Sequence, residues 1–334
     1  MEKIRVVQYG LGPIGCRLAR LMAGRSDLEL VGFIDIDPAK VGQDAAKIVE
    51  AEECPGVAVS DDPEKVFASA KPDIVVHATG SHLPRVKGQF LDILEAGFNV
   101  VSTCEELAYP KAQHPEIADE LDRAAREKGA TILGTGVNPG YVMDTLPIVM
   151  AAPCEEIMKV KVQRIQDAAH RRLPFQLKIG AGLTVEDYQS RVEEGTVRHV
   201  GLKESMYMIA DALGWELDDY TETLEPIVAD RVLRSPFLEV EPGKVAGTRQ
   251  EARGFVQGEE VITHYMAMSI EGEGAGDFVS IEGVPDVEMA IKGGTHGDIA
   301  TAAIAVNSIP RVMAHPPGLV TMKDLPPVHW RQPR

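Results

Sequence analysis

The chain has 334 residues, 44% of them hydrophobic and 25% charged, and a formal net charge of −17. That length exceeds the about 250–300 residues at which one hydrophobic core stops growing, so two domains are expected. The acidic balance argues against nucleic acid and anionic membranes as partners, and no apolar run approaches the roughly 20 residues of a membrane span.

The first element is an apolar strand, Ile4 to Tyr9, running straight into Gly10-Leu11-Gly12-Pro13-Ile14-Gly15. A helical pattern follows to Ala23, then a second strand from Leu28 to Ile34 that ends on Asp35. A G-x-G-x-x-G between strand and helix, with an acid about 20 residues on, is the arrangement a dinucleotide needs. Gly10 permits the tight turn, Gly12 the approach of the pyrophosphate and Gly15 the close packing of helix on strand. Free N–H groups and the dipole at the helix start attract phosphate. Asp35 is the expected ribose ligand. With Asp37 close by and Ile36 offering no cation, NAD is expected over NADP, which binds more weakly.

Strands and helices keep alternating. Ser60-Asp61-Asp62-Pro63-Glu64 opens a helix. Ile74 to His77 reads as a buried parallel strand and is followed by Ala78-Thr79-Gly80. A helix from Leu83 to Ala96 stops at Gly97, Asn99 to Thr103 is a strand, a helix from Pro115 to Lys128 stops at Gly129, and Ala130 to Gly134 is a strand. The pattern changes near Asn138-Pro139-Gly140. A helix is expected from Tyr141 to Met150. Period-two stretches follow at Met158–Gln163, Arg249–Val256, Val261–Ile270 and Asp286–Ile291, with a helix at Lys203–Leu213 between them. An alanine-rich helix from Asp298 to Ser308, ending near Pro310, returns to the first domain. The expected fold is α/β: a doubly wound parallel sheet (residues 1–140 plus 298–334) with a second α+β domain on a mixed open sheet (141–297). The cleft between the domains is expected to hold nicotinamide and substrate.

Ligands of doubly wound sheets lie beyond the carboxyl ends of the strands. Ala78, Thr79 and Gly80 end one strand, and small residues there let ribose and phosphate pass closely. Ser102-Thr103-Cys104-Glu105-Glu106-Leu107 ends another, and Asn138 follows a third, within reach of a nicotinamide amide or as a turn residue before proline. Glu105 and Glu106 read two ways. A carboxylate there can deprotonate an ammonium substrate and activate water, or it can be the acidic first turn of a helix. Cys104 has no basic neighbour and reads as a small packed residue. Arg171 and Arg172, with Lys178 nearby, form a basic patch suited to a carboxylate or to solvent. His199 and His296 are isolated. His296 follows Gly293-Gly294-Thr295, where the backbone can come close to a ligand. No cluster has metal-ligand spacing, and the four cysteines are far apart, so reduced thiols and a cytoplasmic location are expected. The N-terminus enters a strand at once, leaving no expected signal peptide.

Taken together, Gln8–Gly15, Ser102–Leu107, Gly136–Asp144, Arg171–Pro174 and Lys178–Gly182 resemble 2,4-diaminopentanoate dehydrogenase and its relatives, the native amine dehydrogenases. The N-terminal half is more distantly similar to dihydrodipicolinate reductase. The resemblance runs from about Ile4 to Pro326. It implies a Rossmann domain plus a substrate and dimerisation domain, hence a homodimer. It also implies reversible NAD(P)-dependent deamination of a short-chain amine to ketone and ammonia. Its active-site glutamate maps to Glu105, with Glu106 the neighbour to be distinguished from it. Cofactor contacts are expected from Gly10 to Gly15, Asp35, Ala78 to Gly80, Ser102 and Asn138. Substrate contacts are expected from Arg171, Arg172, Lys178, His199 and His296. Reductive amination of simple ketones or 4-oxoacids, a dihydrodipicolinate-type imine reductase and a non-catalytic NAD-binding sensor are the alternatives. The Gly136–Asp144 motif speaks against the imine reductase, and Glu105, Asn138 and the fingerprint speak against the sensor.

Overall fold

A computed structural model describes residues 3–332. The chain divides into two compact units, one comprising residues up to Tyr141 and from His296 onward, the other Val142–Thr295. The return therefore falls at His296, two residues before the expected boundary.

The first unit alternates β1 (Ile4–Tyr9), α1 (Pro13–Ala23), β2 (Leu28–Ile34), α2 (Ala45–Val49), α3 (Pro63–Ala70), β3 (Ile74–His77), α4 (Leu83–Glu95), β4 (Asn99–Ser102), α5 (Pro115–Lys128) and β5 (Thr131–Gly134). Its sheet has the order β14-β5-β4-β3-β1-β2, where β14 is Gly318–Val320 from the end of the chain, with every pairing parallel. The two outermost elements come from opposite ends of the sequence. Val7, Val75, Val76, Val100, Val101 and Ile132 are fully buried, as expected where helices cover both faces of a parallel sheet. Gly129, at φ +71°, ends α5 in the left-handed conformation that favours glycine.

The second unit contains α6 (Thr145–Met150), β6 (Glu156–Asp167), α7 (Leu173–Lys178), α8 (Val185–Glu193), α9 (Leu202–Leu213), β7 (Asp219–Val228), a small β8–β9 ribbon (Leu233–Arg234 and Glu239–Val240), β10 (Val245–Val256), β11 (Glu259–Ser269), β12 (Gly276–Val284) and β13 (Val287–Lys292). Its sheet, β13-β12-β6-β11-β10-β7, is antiparallel except where β11 runs parallel to β6. Helix α9 packs on β10 and β11. The expected helix from Tyr141 is shorter at its start, because Tyr141–Asp144 form turns and Asp144 caps α6 from a buried position, also accepting from Ser205 Oγ at 2.7 Å. A second buried anchor is Arg164, bound to Asp277 at 2.8 Å and to the Thr295 carbonyl at 2.7 Å.

The chain then returns as α10 (Gly297–Ala314), which packs on α1 and β4, and β14 (Gly318–Val320), which pairs with β5. Helix α10 runs through Pro310 to Ala314, longer than its alanine-rich stretch predicts. Among the described residues no helix is long and apolar enough to cross a membrane, and no group of three His, Cys, Asp or Glu is arranged for a metal. All four cysteines are free thiols.

Candidate active site

The order of the first sheet places its switch point between β1 and β3, whose following segments leave on opposite sides. Gly10 leaves β1 at φ +92°, and a Cβ there would lie 2.5 Å from the Ala78 carbonyl, so only glycine fits between the two strand ends. At Gly15 a Cβ would lie 1.9 Å from the Gly10 carbonyl. Gly12 faces open space and caps α1 with no side chain bonded over it, and the first turn of α1 holds no acid. Open backbone at a helix N-terminus is a cradle for a pyrophosphate.

Asp35 ends β2. It accepts from the Leu11 N–H at 2.6 Å, the Asp37 N–H at 2.9 Å and Lys40 Nζ at 3.2 Å. Partial burial alone would raise its pKa, but these donors outweigh it and hold the carboxyl below its ordinary value. Lys40 also reaches Asp37, at 3.4 Å. Lys40 therefore adds a cation that Ile36 does not supply. Ile36 is exposed and uncharged, yet the turn brings in Lys40 from five residues beyond Asp35.

At the end of β3, His77 is fully buried, and burial lowers its pKa to about 4. Thr79 next to it bonds Gln89. At the end of β4, Ser102 is fully buried and its hydroxyl faces inward, meeting His77 Nδ1 at 2.9 Å and the Cys104 N–H at 3.0 Å. Its side chain therefore ties the end of β3 to the turn after β4 from inside the fold. Cys104 is buried as well, which pushes its thiol pKa upward, and its Sγ donates to the Ser81 carbonyl.

The two glutamates separate cleanly. Both lie on a short 3-10 turn, Glu105–Leu107, packed so closely on β5 that a Cβ at Gly134 would meet the Leu107 backbone at 2.4 Å. Glu106 points inward. It accepts from His82 Nδ1 at 2.7 Å, the Leu83 N–H at 2.7 Å and His114 Nε2 at 3.0 Å, thereby holding the N-terminus of α4. Burial would raise its pKa, but the His82, Leu83 and His114 donors outweigh it and lower it. Glu105 is half-buried. Asn138 is buried beyond β5 and precedes a cis proline.

The other candidates are dispersed. Arg171 is buried in the second unit with its guanidinium 4.1 Å from the Phe175 ring centroid. Arg172 caps α7 and Lys178 closes it in an exposed position. His199 lies in a separate loop, its backbone held on both sides by Gln250 at 2.8 and 2.9 Å. His296 is exposed in the first unit, where its Nδ1 caps α10 at Ile299. Sequence reasoning missed Lys40, His77, His82 and His114. For His77 a signal existed, since it is a lone polar residue closing an otherwise apolar strand.

Residues 141–331 match the family described as 2,4-diaminopentanoate dehydrogenase C-terminal domain, and residues 10–133 match the NAD binding domain of homoserine dehydrogenase. The chain is 37% identical to 2,4-diaminopentanoate dehydrogenase from Acetoanaerobium sticklandii, over 98% of this chain and 94% of that one. It is 28% identical to an amine dehydrogenase from Streptomyces virginiae, over 97% and 96%. The solved amine dehydrogenase of Mycobacterium smegmatis superposes with a TM-score of 0.86 at 29% identity, covering 98% of this chain and 97% of that one. Sequence, fold and fingerprint agree on an NAD(P)-dependent oxidoreductase acting on an amine, and the chain belongs to the 2,4-diaminopentanoate dehydrogenase family.

Proposed function

We propose that the chain catalyses the reversible deamination of a short-chain amine, 2,4-diaminopentanoate or a close analogue, to a ketone and ammonia, with NAD preferred and Glu105 as the proton-handling group. The observation carrying this reading is the division of labour at the end of β4. Glu106 is committed to three donors inside the fold, whereas Glu105, its neighbour on the same turn, is half-buried and not part of that cluster. The fit to a dinucleotide rests on the open backbone at Gly12, the close approach of Gly10 to Ala78 and the carboxylate of Asp35. Gly10 to Gly15 would hold the pyrophosphate, Asp35 the ribose, and Ala78, Thr79, Gly80 and Asn138 the nicotinamide half.

The dinucleotide supplies the hydride acceptor when bound. What remains for the protein is proton chemistry. An ammonium nitrogen has no lone pair with which to expel hydride, so Glu105 first takes its proton. Glu105 passes that proton to solvent, and the restored carboxylate draws a proton from water as the water adds to the iminium carbon. It returns this proton to nitrogen, and ammonia leaves as the carbinol O–H gives its proton back to Glu105. In the amination direction the order reverses and Glu105 positions ammonia. Arg171 or Arg172, with Lys178 nearby, would pair with a substrate carboxylate. His199 and His296 are the remaining candidates for the substrate side.

Glu105→Gln keeps size and removes the charge. Deamination and amination should both fall by roughly 10²–10⁴, the usual contribution of general acid–base catalysis, while NADH binding survives. Near-normal turnover in this variant would remove the assignment. A panel of 2,4-diaminopentanoate with NAD, set against 4-oxopentanoate and simple ketones with ammonia and NADH, fixes the substrate class. NADH binding without turnover on any member would mark a sensor.

A further inference from the structure

His77 has a place that the reaction as described does not use. It is the last residue of β3 and is fully buried, yet both ring nitrogens are engaged. On one side Nδ1 lies 2.9 Å from Ser102 Oγ, which accepts from the Cys104 N–H at 3.0 Å. On the other, Nε2 lies 2.7 Å from Gln89 Oε1 and 2.8 Å from Thr79 Oγ1, and Thr79 donates to that same Gln89 oxygen at 2.6 Å. Gln89 Oε1 can only accept, so Nε2 carries the ring hydrogen. Nδ1 is then an acceptor, and Ser102 O–H donates to it while taking the Cys104 N–H. Every group in the chain is satisfied by this one tautomer, as a buried polar network requires. The Phe90 and Tyr9 rings pack against the imidazole at 4.5 and 5.5 Å and fix its plane.

We propose that His77 is a positioning residue that ties the Ala78–Gly80 turn to the Cys104–Glu105 turn, so that the cofactor-side Thr79 and the proton-handling Glu105 keep a fixed spacing. This rests on the roles proposed for Thr79 and Glu105. The two turns leave adjacent strands, and the His77 bridge links them side chain to side chain. A doubly bonded ring is a better spacer than a single hydrogen bond, because it leaves neither turn free to pivot. Misplacement of a reacting group by about 1 Å can cost on the order of 10²-fold. The proton state supports the assignment, since with a pKa lowered to about 4 the ring is neutral through the neutral range and Nδ1 keeps its lone pair for the Ser102 hydroxyl.

The two halves of the bridge can be cut separately. Asparagine places a polar atom near Nδ1 and cannot reach Thr79, whereas glutamine reaches Nε2 and leaves Ser102 unpaired. His77→Asn should weaken NADH binding about ten-fold, measured by fluorescence titration, with a smaller loss in kcat. His77→Gln should lower kcat about ten-fold with a smaller loss in NADH affinity. Loss of both quantities by one common factor in both variants, or of neither, overturns the proposal. Should either variant fail to fold, Thr79→Val and Ser102→Ala cut the same bridge from its ends and must give the same split. In a Glu105→Gln background, His77→Gln should cause no further fall in kcat, and an additive fall also overturns the proposal. Unchanged kcat in Glu105→Gln alone would instead fail the proposed function.

Discussion

His264 is the sharpest test of how burial sets stability in the second unit. It sits in the middle of β11, fully buried, opposite Ala252 on β10 and Val162 on β6, beneath α9. Neither ring nitrogen has a partner of acceptable hydrogen-bond geometry, although the Leu202 backbone is near enough to raise its pKa slightly. Burial dominates and lowers the pKa to about 4. In the unfolded chain the same ring titrates near about 6.5. The native ring is therefore neutral at pH values where the unfolded ring takes a proton. Its contribution is fully present above about pH 6.5 and is lost as pH falls toward 4, for a total of about 3 kcal/mol, of which about 2 kcal/mol is already gone at pH 5. His264→Leu removes this dependence. Urea unfolding of parent and variant at pH 8 and pH 5, followed by Trp215 in a Trp330→Phe background, reports the second unit. The variant should gain about 2 kcal/mol on the parent between the two pH values. The carboxylates and His77 are common to both proteins and cancel. An equal difference at pH 8 and pH 5 would refute the argument, because it would mean the ring is not held neutral by its surroundings.

Other predictions concern the first unit and the substrate side. Lys40 screens Asp35, so Lys40→Ala should widen the preference for NAD over NADP about five- to ten-fold, the scale of one screened charge pair. Asp35→Ala should weaken NAD and relax the preference, as steady-state constants for both cofactors will show. Glu106→Gln should cost about 2–3 kcal/mol of stability by removing charge-assisted bonds to His82, Leu83 and His114, read as a shifted denaturant midpoint. Arg171→Gln should cost roughly 2–5 kcal/mol of binding on an amine bearing a carboxylate and little on an uncharged amine. Equal losses on both would place Arg171 in the packing around Phe175 alone.

The dinucleotide half of the fold was legible because its signals are local. Glycines at Gly10, Gly12 and Gly15, an acid at Asp35 and stops at Gly97 and Gly129 each act within a few residues of the element they define. The second sheet was legible only where one face is apolar. Strand β7 escaped notice because it carries four acids or threonines in its first five residues and a proline at Pro226, which an edge strand tolerates and a central strand does not. Strand β14 is three residues long and exists only because β5 offers it an edge. At the site, sequence reasoning could not separate Glu105 from Glu106, since their difference lies in His82 and His114, which come from other segments. Lys40, close to Asp35 along the chain, was hidden for another reason, as its reach depends on the turn that follows β2.

The return of the chain at His296 also governs the order in which the molecule can be made. The second unit is one uninterrupted segment, Val142–Thr295, and has all its strands once that segment has left the ribosome. The first unit, although its fingerprint is synthesised at the outset, lacks the cover on α1 and β4 and the outer strand on β5 until α10 and β14 emerge. Assembly during translation thus runs against the usual N-terminal-first sequence. The nascent dinucleotide-binding strands wait with apolar faces uncovered while a complete domain forms after them.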